Sequence, residues 1–282
     1  MTASSGGADG DPAATESSSP GKGRPRPRFI AVVVPAHEEE RLIGRCLASI
    51  HHSAQHPALG GVEILTIVVA DACSDRTAEI AAASGAVVID VQARNVGSAR
   101  DVGMRWALRR EDGRPGSDLW LATTDADSVV PPHWLAAHQA WSTRGVDAVA
   151  GTVTVRDWSE QSAATATAFM HRQMRFGLGN GHGHIHGANL GLSSAAFTRA
   201  GGMPHKSLGE DEELWRRVGA AGCRVVRAGD LPVVTSARRE ARAEGGFGHL
   251  LRSLDGAALA PTSRASSVPP RGGARPVLAL PH

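Results

Sequence analysis

The stretch "LWLATTDADSVVPPHWL" (119–135) is an apolar run that ends in two aspartates one residue apart, Asp125 and Asp127, followed by paired prolines and Trp134. Two like charges at a strand end repel unless a cation or hydrogen-bond donors join them. A hard divalent ion held by one or two carboxylates and completed by phosphate oxygens and water meets that need. The D-x-D spacing alone is common: Asp9 and Asp11 repeat it in a Gly/Ala/Ser stretch with no strand nearby, so context must carry the argument. The context recurs. "PAHEEE" follows the apolar run "FIAVVV", and "ADACSD" closes "EILTIVVA". Pro35, Ala36, His37, Glu38, Asp71, Asp125, Ala126 and Asp127 would then gather where strands end, in a crevice suited to a metal–diphosphate. Further on, "GEDEELWRRV" puts Glu210 and Asp211 at the start of a helix. Taken alone, that is ordinary enrichment of acids in a first helical turn. In company with the D-x-D it offers a general base.

The elements that must position these residues alternate. "FIAVVV", stopping at Pro35, reads as a strand buried on both faces. "EEERLIGRCLASI" follows as a helix with three acids at its positive end and Leu42, Ile43, Cys46, Leu47 and Ile50 on one stripe. "EILTIVVA" is a second strand. "SDRTAEIAAA" is a helix capped by Ser74 or Asp75. "AVVIDV" is a third strand, followed by a helix with Val102 and Trp106 on one face, and "LWLAT" is a fourth. Such a βαβαβαβ order predicts a Rossmann-like α/β fold, a mostly parallel sheet with helices on both faces and ligands at the carboxyl ends of its strands.

Composition excludes several classes. The 282 residues hold 30 Lys+Arg against 28 Asp+Glu, a net charge of +2, with 4% aromatics and no Tyr. Neither a basic field nor stacking platforms for nucleic acid are present. Three separated cysteines, Cys46, Cys73 and Cys223, form no disulfide framework and fit a reducing, cytoplasmic setting. No run approaches the roughly 18–20 apolar residues of a membrane span, which leaves peripheral membrane contact as the remaining route to a lipid. Residues 1–28, ending in "GKGRPRPR", and 255–282 read as low-complexity tails. The ordered domain is expected over 29–254, divided into a nucleotide-binding half, 29–130, and a mixed acceptor-side half, 131–254.

In their order these segments resemble the family-2 glycosyltransferases of GT-A fold. "VVVPAHEEERLIGRCLASI" is similar to that family's opening strand, P-A-x-x-E signature and helix, which implies that Pro35, Ala36 and Glu38 lie against the nucleotide. "VVADACSDRTAEIA" resembles V-V-D-D-G-S-x-D-x-T, with Asp71 approaching the base, Ala70 in place of the first aspartate and Ala72-Cys73 in place of Gly-Ser. "NVGSARDVGMRWAL" resembles G-x-x-x-A-R-N-x-G, whose arginine, Arg100, would reach the nucleotide; Asp101 stands where Asn is usual. The resemblance puts Asp125 on ribose or metal and Asp127 on the metal. "HGANLGLSSAAFTRAGGMP" and "LGEDEELWRRVGAAGCRVV" are similar to the family's G-x-N and G-E-D segments, with Asp211 as base and Glu210 on acceptor or backbone.

What this implies is metal-dependent transfer of a sugar, with Mn²⁺ or Mg²⁺, from a nucleoside-diphosphate donor to a small or lipid-linked hydroxyl acceptor, by single displacement with inversion of configuration. A retaining enzyme, a nucleotidyltransferase and a non-catalytic nucleotide-sugar binder are the alternatives; the acidic, glycine-free "PAHEEE" counts against the second of these. Two features stand apart. His182, His184 and His186 alternate in "NGHGHIHGANL", a lid over substrate or a transition-metal site. "TSARREARAEGG" carries Arg238, Arg239 and Arg242, a solvated face or a clamp for a diphosphate.

Overall fold

The computed structural model describes residues 24–111, 119–175, 182–183, 185–238 and 251–254. Among the described residues seven strands form one sheet in the order β3-β2-β1-β4-β6-β5-β7. The first four are β1 (Phe29–Ala36), β2 (Glu63–Asp71), β3 (Val87–Val91) and β4 (Leu119–Thr123), all parallel. Beside them, β6 (Leu190–Ser193) runs antiparallel to both β4 and β5 (Ala148–Val155), and β7 (Val225–Thr235) pairs parallel with β5. The expected mostly parallel sheet with a mixed second half is what forms.

Strand alternation builds the layers. Along β1, Ile30, Val32 and Val34 face a core shared with helices α1 (Ile43–Ala54) and α4 (Trp134–Thr143). Phe29, Ala31 and Val33 face the opposite core, closed by α3 (Val96–Glu111), α6 (Ser194–Arg199) and α7 (Glu210–Ala220); in the chain α2 (Thr77–Ala83) lies between β2 and β3, and α5 (Ala163–Arg175) follows β5. Continuous apolar β1 is the requirement of a strand covered on both faces. Helix α3 lies close to the sheet because Gly103 carries no side chain: a Cβ there would sit 2.5 Å from Val33 Cγ1. The buried face of α3 is built from Ala99, Met104 and Ala107, with Val102 and Trp106 only half-buried beside it.

Three local expectations need correction. β1 continues through Pro35, which pairs with Val69, to Ala36; at the strand's last turn the missing N–H costs no interior ladder bond. Helix α1 begins at Ile43 and has no acid in its first turn, because Glu38, Glu39 and Glu40 are spent on tertiary bonds before the helix starts. Arg24, expected in a solvated tail, donates to Asp147 at 2.9 Å and its N–H to the Thr143 carbonyl.

Candidate active site

The loop after β4 carries the two aspartates, and α1 holds that loop from below. The Cys46 thiol donates to the Asp125 carbonyl at 3.3 Å, while Ser49 and Ser53 accept from the N–H groups of Val130 and Leu135 at 3.1 and 3.0 Å. These three residues sit at i, i+3 and i+7, one face of a helix. Trp134, following the prolines, donates from Nε1 to Asn189 at 2.9 Å, and the Asn189 amide donates onward to the carbonyls of Thr152 and Leu231. One fully buried asparagine therefore ties the aspartate loop to β5 and β7.

At the first aspartate, a buried guanidinium joins the two halves of the molecule. Arg100 Nη2 donates to Asp125 Oδ1 at 2.5 Å, and Nη1 to Glu210 Oε1. Burial works against its charge, but Asp125 and Glu210 outweigh burial and hold the guanidinium above its ordinary pKa. Burial pushes the Glu210 carboxyl up while Arg100 pulls it back. Gly187 packs directly on the guanidinium, where a Cβ would collide with it. The Gly187 N–H donates to Asp211 Oδ2 at 2.7 Å and the Glu212 N–H to Asp211 Oδ1 at 2.8 Å, so Asp211 is aimed by two backbone donors. A left-handed Gly209, φ 70°, opens α7 and turns Glu210 inward and Asp211 toward the site edge.

The second aspartate has a different neighbourhood. Asp127 Oδ1 accepts from Thr235 Oγ1 at 3.2 Å, and Thr235 accepts from Ser128 Oγ at 3.0 Å. Arg238 Nη2 lies 3.4 Å from Asp127 Oδ2 and the same guanidinium grips Glu39 with both nitrogens. Burial pushes Asp127 up to about 7; Arg238 opposes the rise and the charges of Asp125 and Glu39 add to it. A carboxylate so placed is short of positive charge. Asp127, with Asp125 beside it, supplies the one or two carboxylates that a hard divalent ion uses when diphosphate and water complete its shell. Among the described residues no group of three or more His, Cys, Asp or Glu could hold a metal by itself.

This arrangement has relatives. The family model described as glycosyltransferase-like family 2 matches residues 27–245. The chain belongs to that family. Among solved structures, Staphylococcus aureus TarS 1–349 in complex with UDP-GlcNAc aligns with TM-score 0.58 at 13% identity, over 82% of this chain and 66% of that one. Mannosyltransferase PcManGT from Pyrobaculum calidifontis, in complex with GDP-Man and Mn²⁺, aligns with TM-score 0.54 at 19% identity, over 82% and 61%. The chain thus spans less than two thirds of these proteins, and 60% of TarS 1–349 without ligand. The shared fold is GT-A. A search of curated protein sequences finds no significant match.

The family-2 site residues expected from sequence are brought together unequally. Asp125, Glu210 and Asp211 converge through Arg100 and the Gly187 turn, while Asp127 sits with Thr235 and Arg238. Pro35, Ala36 and Ala126 are buried backbone of the site floor. His37 bonds through Nδ1 to the Asp71 carbonyl at 2.6 Å. Asp71 points elsewhere: its oxygens accept from the N–H groups of Ala93, Arg94 and Asn95 at 2.7–2.8 Å, clamping the loop after β3. Arg100, expected on the nucleotide, is instead the buried bridge. Glu38 accepts from the N–H and hydroxyl of Ser74 at 2.6 and 3.0 Å and serves a loop contact. The glutamate that enters the site is Glu39, where P-A-x-x-E counted from Pro35 puts its acid. The helix over Thr77–Ala83 starts from Arg76 rather than from Ser74 or Asp75; Asp75, one residue earlier, accepts from the N–H of Thr77 at 2.9 Å. His182 is buried and His186 half-buried; His184, Arg239 and Arg242 lie outside the described residues. Sequence reading missed Thr235 and the Cys46-Ser49-Ser53 stripe, though the helical spacing of the stripe was there to see.

Proposed function

We propose that this chain transfers a glycosyl group from a nucleoside-diphosphate sugar to an acceptor hydroxyl, by single displacement with inversion and with a divalent ion at Asp127. The observation that carries the reading is the Arg100 bridge. It holds a D-x-D carboxylate and a G-E-D carboxylate on one guanidinium, which supports a single site for donor and acceptor. The UDP-GlcNAc bound to TarS and the GDP-Man and Mn²⁺ bound to PcManGT support the same reading for a chain of this fold.

Held by Asp127 with Asp125 beside it, a divalent ion would supply Lewis-acid neutralisation of the diphosphate. The chain's residues do the rest. Asp127 is held by Thr235 to present its carboxylate, and Asp125 is fixed by Arg100 to orient the donor. Asp211, aimed by Gly187 and Glu212, takes the proton of the acceptor hydroxyl as its oxygen bonds to the anomeric carbon and the bond to the diphosphate breaks. Glu210 shares the Arg100 guanidinium and holds the start of α7 in place. The acceptor is a hydroxyl of a small or lipid-linked molecule; among the described residues no helix is long and apolar enough to cross a membrane.

A thermal-shift screen of UDP, GDP, dTDP and CDP, with and without Mn²⁺, tests this. One nucleotide should stabilise the wild type only with metal and should fail to stabilise Asp127→Ala. Stabilisation by none would sink the reading. With the donor base in hand, the anomeric configuration of the product, read by NMR, separates inversion from retention.

A further inference from the structure

Resting on Asp127 as the metal-holding carboxylate, the structure points to an occupant that must give way first. Arg238 lies just beyond β7, three residues after Thr235. Its Nη1 donates to Glu39 Oε2 at 2.6 Å, its Nη2 bonds Glu39 Oε1, and that same Nη2 stands 3.4 Å from Asp127 Oδ2. One permanent positive charge therefore serves two carboxylates, gripping Glu39 with its fork and leaving Asp127 the outer edge.

Glu39 is a fixed post. Its N–H donates to Thr77 Oγ1 at 2.7 Å, and its carbonyl accepts from Leu42 and Ile43 at the start of α1. Asp127 has its own tether in Thr235. The Glu39 backbone and the Asp127 carboxylate are therefore held independently of the guanidinium, and Arg238 is the part that can move. Divalent cation and guanidinium compete for Asp127, since two cations on one half-buried carboxylate repel. A diphosphate resolves the competition. It brings oxygens that the arginine fork fits as well as it fits a carboxylate, and it supplies the remaining ligands of the ion.

We propose that Arg238 is the resident counter-cation of the D-x-D site, so that a divalent ion binds tightly only together with the nucleoside diphosphate, which takes the guanidinium over. Metal and donor are then coupled, each raising the affinity of the other by the same factor.

Mn²⁺ uptake by the full chain, followed by the electron paramagnetic resonance of free Mn²⁺, reads this directly. Measurements are made without nucleotide and with UDP, GDP, dTDP or CDP. The wild type should bind Mn²⁺ at least about tenfold more tightly with its matching nucleotide. Arg238→Gln should bind Mn²⁺ alone about tenfold more tightly than the wild type, with the coupling to nucleotide reduced. Glu39→Gln should do the reverse, since the guanidinium then has only Asp127 to serve and Mn²⁺ alone binds more weakly. Unchanged or weaker Mn²⁺ binding by Arg238→Gln overturns the proposal. Should that variant fail to fold by circular dichroism, unchanged or tighter binding by Glu39→Gln overturns it equally. No uptake by the wild type with any nucleotide removes the metal reading underneath, a different failure from nucleotide-dependent uptake that Arg238→Gln does not alter.

Discussion

Two arginines each join one D-x-D aspartate to one glutamate, and they are built for different work. Arg100 holds Asp125 and Glu210 with its side chain 4% exposed, and Gly187 lies on its face. Arg238 holds Asp127 and Glu39 with its side chain 19% exposed, at the end of a strand. The first joins a helix beside the parallel half to the start of α7, and its removal would leave carboxylates without a cation on both sides. The second faces the carboxylate proposed for the metal and can be replaced there by another cation. Equal chemistry at two depths gives a lock and an exchangeable charge.

The comparison breaks if the two arginines cost the same to remove. Arg100→Met should destabilise the fold by about 3–5 kcal/mol in urea denaturation, the cost of stranding the buried Glu210 and removing the cation that Asp125 shares with it. Arg238→Met should cost less, about 1–3 kcal/mol, since it strands Glu39, 7% exposed, while Asp127 can take up a proton. On the Arg100 side, Asp211→Asn should lower transfer by about a thousandfold while nucleotide binding and melting temperature hold. A similar loss with weakened nucleotide binding would make Asp211 a donor-site residue.

A third buried basic group sharpens the contrast, because its chemistry has no carboxylate in it. His138 accepts from Trp120 Nε1 at 3.3 Å, and burial alone holds it down to about 3. The unfolded chain binds a proton there that the folded chain refuses. Its stability contribution is therefore full above the ordinary histidine pKa and is lost as pH falls toward 3, roughly 3 kcal/mol by pH 4. His138→Gln should remove that part of the acid loss in urea titrations at pH 7 and pH 4. Asp127 runs the other way. Raised to about 7, it favours the fold below the ordinary aspartate pKa and loses that contribution as pH rises through 7, in buffer with EDTA; Asp127→Asn should flatten this limb. The smallest effect belongs to Ala72, which adopts φ 52° where the family pattern has glycine. Ala72→Gly should change stability by no more than about 1 kcal/mol, in the stabilising direction, as relief of left-handed strain offsets glycine's added chain entropy.

The parallel half was readable because its signals are local. Apolar runs of β1, β2 and β4 declare strands buried on both faces, and the polar groups after them declare strand ends. The antiparallel β6 was not readable in the same way: four residues, Leu190–Ser193, carry too little periodicity, and their direction is set by pairing with β4 and β5. The start of α1 was misplaced for a related reason. Three glutamates resemble a helix N-terminus, but Glu39 has a partner 199 residues away in Arg238.

By itself the sequence determined the succession of strands and helices in the parallel half, the aspartate pair at a strand end and the acids opening a late helix, since each depends on neighbours a few residues apart. Only the tertiary structure decided which acids work as a site. It spent Glu38 and Asp71 on loops, brought Glu39 in, buried Arg100 between Asp125 and Glu210, and set Arg238 against Asp127. Ion pairing is a matter of distance and burial in space, and residues far apart in the chain acquire both only when the sheet brings its strand ends together.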